Sequence, residues 1–300
     1  MTRPVKVAVV GLGSMGFGMA RSCVRQGYQV FGSDIVTERM DSLRNEGGAA
    51  ETVDAVAASL DAVVAVVLNA DQTETILFGE TGIVPKLKPG AVVVACATVP
   101  PDFARSMETR CQDHGVHYLD APVSGGSVKA GEGKLSIMAA GTHEAFAAAQ
   151  PVLEATAETV FKLGDTAGSG SAMKAVNQLL AGVHIAAMAE ALTFGMTQGI
   201  DPQKFINVIS RCAGTSWMLE NRAPHVVAGD YTPHSQTVIW PKDLGIVLEA
   251  AKGSGLEAPI TEAALRQYNK AVEMGLGHED DAAITKVYAR SAGLQLPGEG

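Results

Sequence analysis

Residues 168–199, GSGSAMKAVNQLLAGVHIAAMAEALTFGMTQG, run for about thirty positions without a proline and are rich in Ala, Leu and Met. Lys174 is the only Lys or Arg of this stretch, and Glu190 its only acid. A helix that apolar on nearly every side belongs inside a fold, joining two domains rather than lying on a surface. Its one amine would then sit near the start of a buried helix, where a cation is costly and its pKa tends to fall. Asn177 and Gln178 follow three and four residues later, so the three polar side chains share one face over one turn. Two readings of that face stay open at this point: a reactive site, or a lysine that snorkels to water beside amides that bridge helices.

The amino end narrows the choice. Residues 5–10, VKVAVV, form a short β-branched run that stops at Gly11. Gly11, Leu12, Gly13, Ser14, Met15 and Gly16 then give the GxGxxG spacing, directly after a strand and directly before a helix-like stretch. In that setting the first glycine permits a tight turn, the second lets backbone approach a pyrophosphate, and the third lets helix and strand lie close. The helix N-terminus supplies N–H donors for the phosphates. A second strand, residues 29–33, ends at Asp34, placed to accept from a ribose hydroxyl and to repel a 2′-phosphate. NAD is therefore expected, with NADP kept possible by Arg39; Asp34 could equally cap the helix that follows it.

Further apolar strands are expected over residues 61–68, 91–95, 116–119, 135–140 and 159–162, alternating with helices near 102–114 and 144–154. Ligands of such doubly wound sheets lie beyond the carboxyl ends of the strands, which puts Leu68, Asn69 and Thr98 beside the nicotinamide half of a cofactor. After Asp120 comes APVSGGS, where Ser124, Gly125 and Gly126 offer a hydroxyl and open backbone N–H groups suited to a carboxylate. A plain glycine turn is the simpler alternative. Beyond residue 168 strand signals fade, and helices are expected over residues 202–212, 235–253, 260–274 and 281–292. Residues 214–222, GTSWMLENR, read as a polar loop bearing Trp217 and Arg222, and Lys242 is a second candidate cation.

A net charge of -9 argues against nucleic acid or an anionic membrane as partner. The four cysteines form no CxxC pair and the seven histidines no HExxH, so no metal site is expected. With a strand starting by Val5 there is no room for a signal peptide, and the long apolar stretch carries too many polar groups for a membrane span. A reducing cytoplasm is the default.

In their order, residues 11–20, the 120–126 segment DAPVSGG, the 168–178 segment and Lys242-Asp243-Leu244 resemble the four motifs of the β-hydroxyacid dehydrogenases of the 3-hydroxyisobutyrate dehydrogenase type, essentially from end to end. The resemblance implies an α/β Rossmann-type domain over residues 1–165 and an all-α domain over residues 166–300, joined by a long interdomain helix and assembled as homodimers or homotetramers. It implies Lys174 as catalytic acid/base with Asn177 orienting substrate. Ser124, Gly125, Gly126, Gln178 and Lys242 would hold a small hydroxy acid, and Lys242 and Thr98 would also line the cofactor. Gln178 stands where the family has a second asparagine, and Ala97-Thr98 where it has Ser-Thr. Residues 178–184, 216–222 and 229–233 are similar to the branch that oxidises L-threonate to 2-oxo-tetronate. 3-Hydroxyisobutyrate dehydrogenase and tartronate semialdehyde reductase are the alternatives, and a non-catalytic nucleotide-binding protein is a remote one.

Overall fold

A computed structural model describes residues 4–298. The chain divides into two compact units, one up to Lys174 and one from Ala175 onward, and the division falls inside a single helix, Ser169–Thr197.

The first unit is built on a parallel sheet of β1 (Lys6–Val10), β2 (Gln29–Ser33), β3 (Ala62–Ala65), β4 (Val92–Ala95) and β5 (His117–Asp120), in the order β2-β1-β3-β4-β5. Both faces are covered, which is why β1, β3 and β4 read as near-continuous Val-Ala runs rather than alternating ones. Val7, Val9, Val64, Val92 and Val94 pack on one side with Met19 and Cys23 of helix Ser14–Arg25 and Phe146 and Val152 of helix His143–Thr156. Ala8, Val63 and Val93 pack on the other with Met107 and Cys111 of helix Pro101–Gln112. The strand expected over residues 61–68 stops at Ala65, because the chain must pass the glycine loop: a Cβ on Gly11 would lie 2.2 Å from the carbonyl oxygen of Val66.

The later strands do not extend this sheet. β6 (Val123–Ser124), β7 (Leu135–Ala139) and β8 (Ala157–Lys162) form a second sheet in the order β6-β7-β8, with β6 antiparallel and β8 parallel to β7. The two sheets meet at Asp120, whose N–H donates to Ala140 O at 3.0 Å and whose carbonyl accepts from Ala140 N at 2.9 Å.

In the second unit, Ile185, Met188, Ala189 and Leu192 of the long helix join Phe205, Leu219, Val226, Trp240, Leu244 and Tyr268 in one core. The helix is long and apolar enough to cross a membrane by length and composition, but these residues make it a core helix of a folded unit. It is not buried all round as the composition suggested. Met173, Val176, Leu180 and Phe194 are exposed at helical spacing. The polar stretch 214–222 is not a loop throughout: Ser216 Oγ accepts from Leu219 N at 3.1 Å and starts helix Trp217–Ala228, which contains Pro224. An N-cap serine preceded by Gly214 and Thr215 looks like part of a loop until the hydrophobic positions three and four apart find a core.

Candidate active site

The candidate residues fall into two sets, each built by its own unit. In the first, β1 delivers the glycine loop to the point where the strand order reverses between β1 and β3, the crevice where open α/β sheets bind ligands. A Cβ on Gly16 would sit 1.8 Å from Gly11 O, so this glycine is needed for helix and turn to touch. Gly13 differs: a Cβ there would meet nothing within 4 Å. No side chain caps helix Ser14–Arg25, whose N-cap is Gly13. An open approach to an uncapped helix N-terminus fits a pyrophosphate. Ser14 is exposed there, Met15 partly buried, and Leu12 is a core side chain contributing only its backbone.

Asp34 is tied to the backbone on both sides. Its Oδ2 accepts from Leu12 N at 2.6 Å, pinning the glycine loop to the end of β2, and its Oδ1 accepts from Val36 N at 2.9 Å at the start of helix Thr37–Asn45. Each carboxylate oxygen keeps acceptor capacity for a ribose hydroxyl. Arg39 Nη1 lies 3.2 Å from Oδ1 and is half exposed. The residues present therefore fit a dinucleotide. Thr98 follows β4 and is partly buried, and Leu68 is 46% exposed. Asn69 has a structural task, its Oδ1 accepting from Gln72 N at 2.9 Å to cap helix Ala70–Phe78.

Lys174 is nearly buried, and its Nζ donates to the carbonyl of Val123 at 2.9 Å. Val123 precedes Ser124, which ends β6 against Ser136, and then Gly125 and Gly126 at φ 134° and 75°. The amine is thus held on the backbone one residue before Ser124 and a glycine turn whose conformation L side chains rarely adopt. The turn is also more than a loop, since helix Gly126–Glu132 begins within it.

In the second unit, Asn177, Gln178 and Lys242 are joined through a residue that spacing had not singled out. Asn177 Nδ2 donates to Gln178 Oε1 at 2.9 Å, and Gln178 Nε2 donates to Asp243 Oδ2 at 2.5 Å. Lys242 Nζ lies 2.7 Å from Asp243 Oδ1. Asp243 is 2% exposed, so its charge is balanced by these neighbours rather than by water.

Residues 6–164 match the NAD binding domain of 6-phosphogluconate dehydrogenase, and residues 168–288 match the NAD-binding domain of NADP-dependent 3-hydroxyisobutyrate dehydrogenase. The chain is 44% identical over 294 residues to the L-threonate dehydrogenase of Cupriavidus necator, covering 98% of each. It is 45% identical over 298 residues to that of Pectobacterium atrosepticum, covering 99% of this chain and 97% of the relative. The crystal structure of 3-hydroxyisobutyrate dehydrogenase from Salmonella typhimurium superposes with a TM-score of 0.89 at 42% identity, covering 94% of this chain and 99% of that one.

The chain belongs to the β-hydroxyacid dehydrogenases of the 3-hydroxyisobutyrate dehydrogenase type. It is an NAD(P)-dependent oxidoreductase acting on the CH–OH group of a small hydroxy acid.

Two acids of this dehydrogenase, Asp120 and Asp243, stood inside the motifs read from the sequence but were given no role of their own. Asp120 Oδ1 accepts from Ser171 Oγ at 2.7 Å, and Oδ2 accepts from Gly168 N and Ser171 N, each at 2.8 Å. Burial raises its pKa, opposed by those hydrogen bonds. The available signal was an acid closing an apolar strand, a position that demands buried partners. Arg222 proves to be buried, paired with Asp281, which also accepts from Trp240 Nε1 at 3.0 Å. That knot and the ring of Trp240, stacked on Tyr268 with centroids 5.5 Å apart, hold the start of the helix bearing Lys242 and Asp243.

Proposed function

We propose that this dehydrogenase oxidises L-threonate with NAD, using Lys174 as the group that takes the hydroxyl proton. Lys174 carries the proposal. Its amine is nearly buried on the Val123 carbonyl, next to the Ser124-Gly125-Gly126 turn. In its neutral form an amine offers a lone pair to a substrate hydroxyl. Nicotinamide, when bound, supplies the hydride acceptor. Ser124 Oγ and the backbone N–H groups of Gly125 and Gly126 fix the substrate carboxylate, which sets the distance from its hydroxyl to Lys174. Asn177, steadied by Gln178 and Asp243, orients the hydroxyl, and Lys242 is the second candidate cation for the substrate. Asp34, in contact with the glycine loop, favours NAD over NADP.

The substrate assignment is supported by relatives 43–45% identical that are named L-threonate dehydrogenase. The second reading, 3-hydroxyisobutyrate or tartronate semialdehyde, is favoured by the similar Salmonella typhimurium structure described as 3-hydroxyisobutyrate dehydrogenase. We also place the functional boundary at 165/166, just before the long helix, and the protein in the cytoplasm as a homodimer or homotetramer. The exposed apolar stripe Met173, Val176, Leu180 and Phe194 supports assembly, because a helix this apolar is stable where its outer face is covered.

NADH formation followed with L-threonate, D-threonate, 3-hydroxyisobutyrate and D-glycerate tests the reading, with Lys174→Met in parallel. Preference for L-threonate that vanishes in the variant is expected. Preference for 3-hydroxyisobutyrate or D-glycerate would overturn the substrate, and an active Lys174→Met would overturn the base.

A further inference from the structure

Asp120 joins three parts of the first unit. Its backbone ties the five-stranded sheet to the second sheet through Ala140, while its carboxylate, 1% exposed, takes three hydrogen bonds from the first turn of the long helix. The helix lies directly on it: a Cβ on Gly170 would be 2.7 Å from Asp120 O and 2.5 Å from Met138 O. Beside it, Glu108 Oε2 accepts from Ala167 N at 3.1 Å, so two buried acids hold the chain as it enters the helix.

The contacts repeat three residues further on in both segments. Asp120 meets Ser171, and Val123 meets Lys174 through the 2.9 Å bond to its amine. Residues 120–123 and 171–174 are thus cross-linked at both ends. One rung is the anchor of the helix and the other is the reactive group itself.

We propose that Asp120 is a positioning residue for the oxidation, fixing the height and rotation of the helix turn that carries Lys174 so that the amine stays over the Val123 carbonyl. The inference rests on the role proposed for Lys174. Without the Asp120 carboxylate the Gly168 and Ser171 donors lose their partner, and of the hydrogen bonds described above those of Glu108 and the reactive lysine remain. Displacements of about 1 Å at a reacting group cost up to about a hundredfold in rate.

The test compares Asp120→Ala, Asp120→Asn, Ser171→Ala and Lys174→Met. Asparagine accepts the two N–H groups through its oxygen and donates its amide to Ser171 Oγ, so it restores the anchor. Asp120→Ala is expected to lower kcat at least about tenfold, with KM for the hydroxy acid and the NADH dissociation constant changed less than about twofold, and Asp120→Asn to recover most of kcat. Should Asp120→Ala fail to fold, Ser171→Ala decides, with kcat expected to fall about three- to tenfold at unchanged KM. Wild-type kcat in a folded Asp120→Ala or Ser171→Ala would overturn the inference, as would a kcat loss matched by an equal loss of NADH affinity. An active Lys174→Met would instead sink the proposed base; a silent Lys174→Met beside unimpaired Asp120 and Ser171 variants would sink this inference alone.

Discussion

Gln178 reaches Asp243 with its amide at 2.5 Å, and the extra methylene that sets it apart from asparagine provides that reach. Asp243 then holds Lys242 on its other oxygen, while Gln178 accepts from Asn177. Gln178→Asn shortens the arm and leaves a buried carboxylate short of one donor, a loss on the order of 1–3 kcal/mol. The variant should melt at a lower temperature and show a reduced kcat/KM for the hydroxy acid. NADH affinity, read by fluorescence titration, should change little.

Gly13 and Gly16 should respond in opposite ways to alanine. At Gly16 the new Cβ meets the Gly11 carbonyl at 1.8 Å, so overpacking is expected to cost about 1–3 kcal/mol and lower the melting temperature. At Gly13 the Cβ enters open space, so stability should hold while the dissociation constant for NADH rises at least about tenfold. Thermal melts of both variants beside NADH titrations distinguish the two roles.

Asp34→Asn removes the charge and keeps one acceptor oxygen, enough for the Leu12 or the Val36 N–H group but not for both, which Asp34 binds on separate oxygens. The ratio of kcat/KM for NAD to that for NADP should fall at least about tenfold, since a 2′-phosphate no longer meets a carboxylate and Arg39 is released to pair with it. An unchanged ratio would show that Asp34 only fastens the loop.

Glu108 predicts a pH effect. Burial raises its carboxyl above the ordinary value, more than the Ala167 N–H lowers it, and the nearby Asp120 raises it further; its Oε1 has no hydrogen-bond partner. The folded state therefore binds this proton more tightly than the unfolded chain. The resulting stabilisation is complete below the ordinary glutamate range and is lost as pH rises through the folded pKa. Glu108→Gln should melt higher than the parent at pH 7–8, with the difference shrinking towards pH 4. Melting curves across that range give the answer.

The sheet was legible because both of its faces are buried, which leaves continuous runs such as Val92-Val93-Val94. The glycine loop and Lys174 were legible because close backbone contact and a lone charge on an apolar helix both stand out in one dimension. The role of Asp243 was not, although the residue stood in a recognised motif, for that role comes from Gln178, a residue 65 positions away. Helix Trp217–Ala228 was hidden by the Gly-Thr-Ser run before it, by Glu220-Asn221-Arg222 and by Pro224, and it forms because Leu219, Ala223 and Val226 find the core of the second unit. The end of β3 at Ala65 was set by Gly11, again a tertiary neighbour.

The boundary between the two units falls between Lys174 and Ala175, within an unbroken helix. That makes the helix a ruler as well as a connector. One residue inserted after Lys174 would advance everything beyond it by about 1.5 Å and turn it by about 100°. Asn177 and Gln178 would then leave the face of Lys174, even though Gln178 kept its bond to Asp243 within the second unit. Length can drift freely in the surface loops of this chain, but here a single added codon would change which residues point the same way.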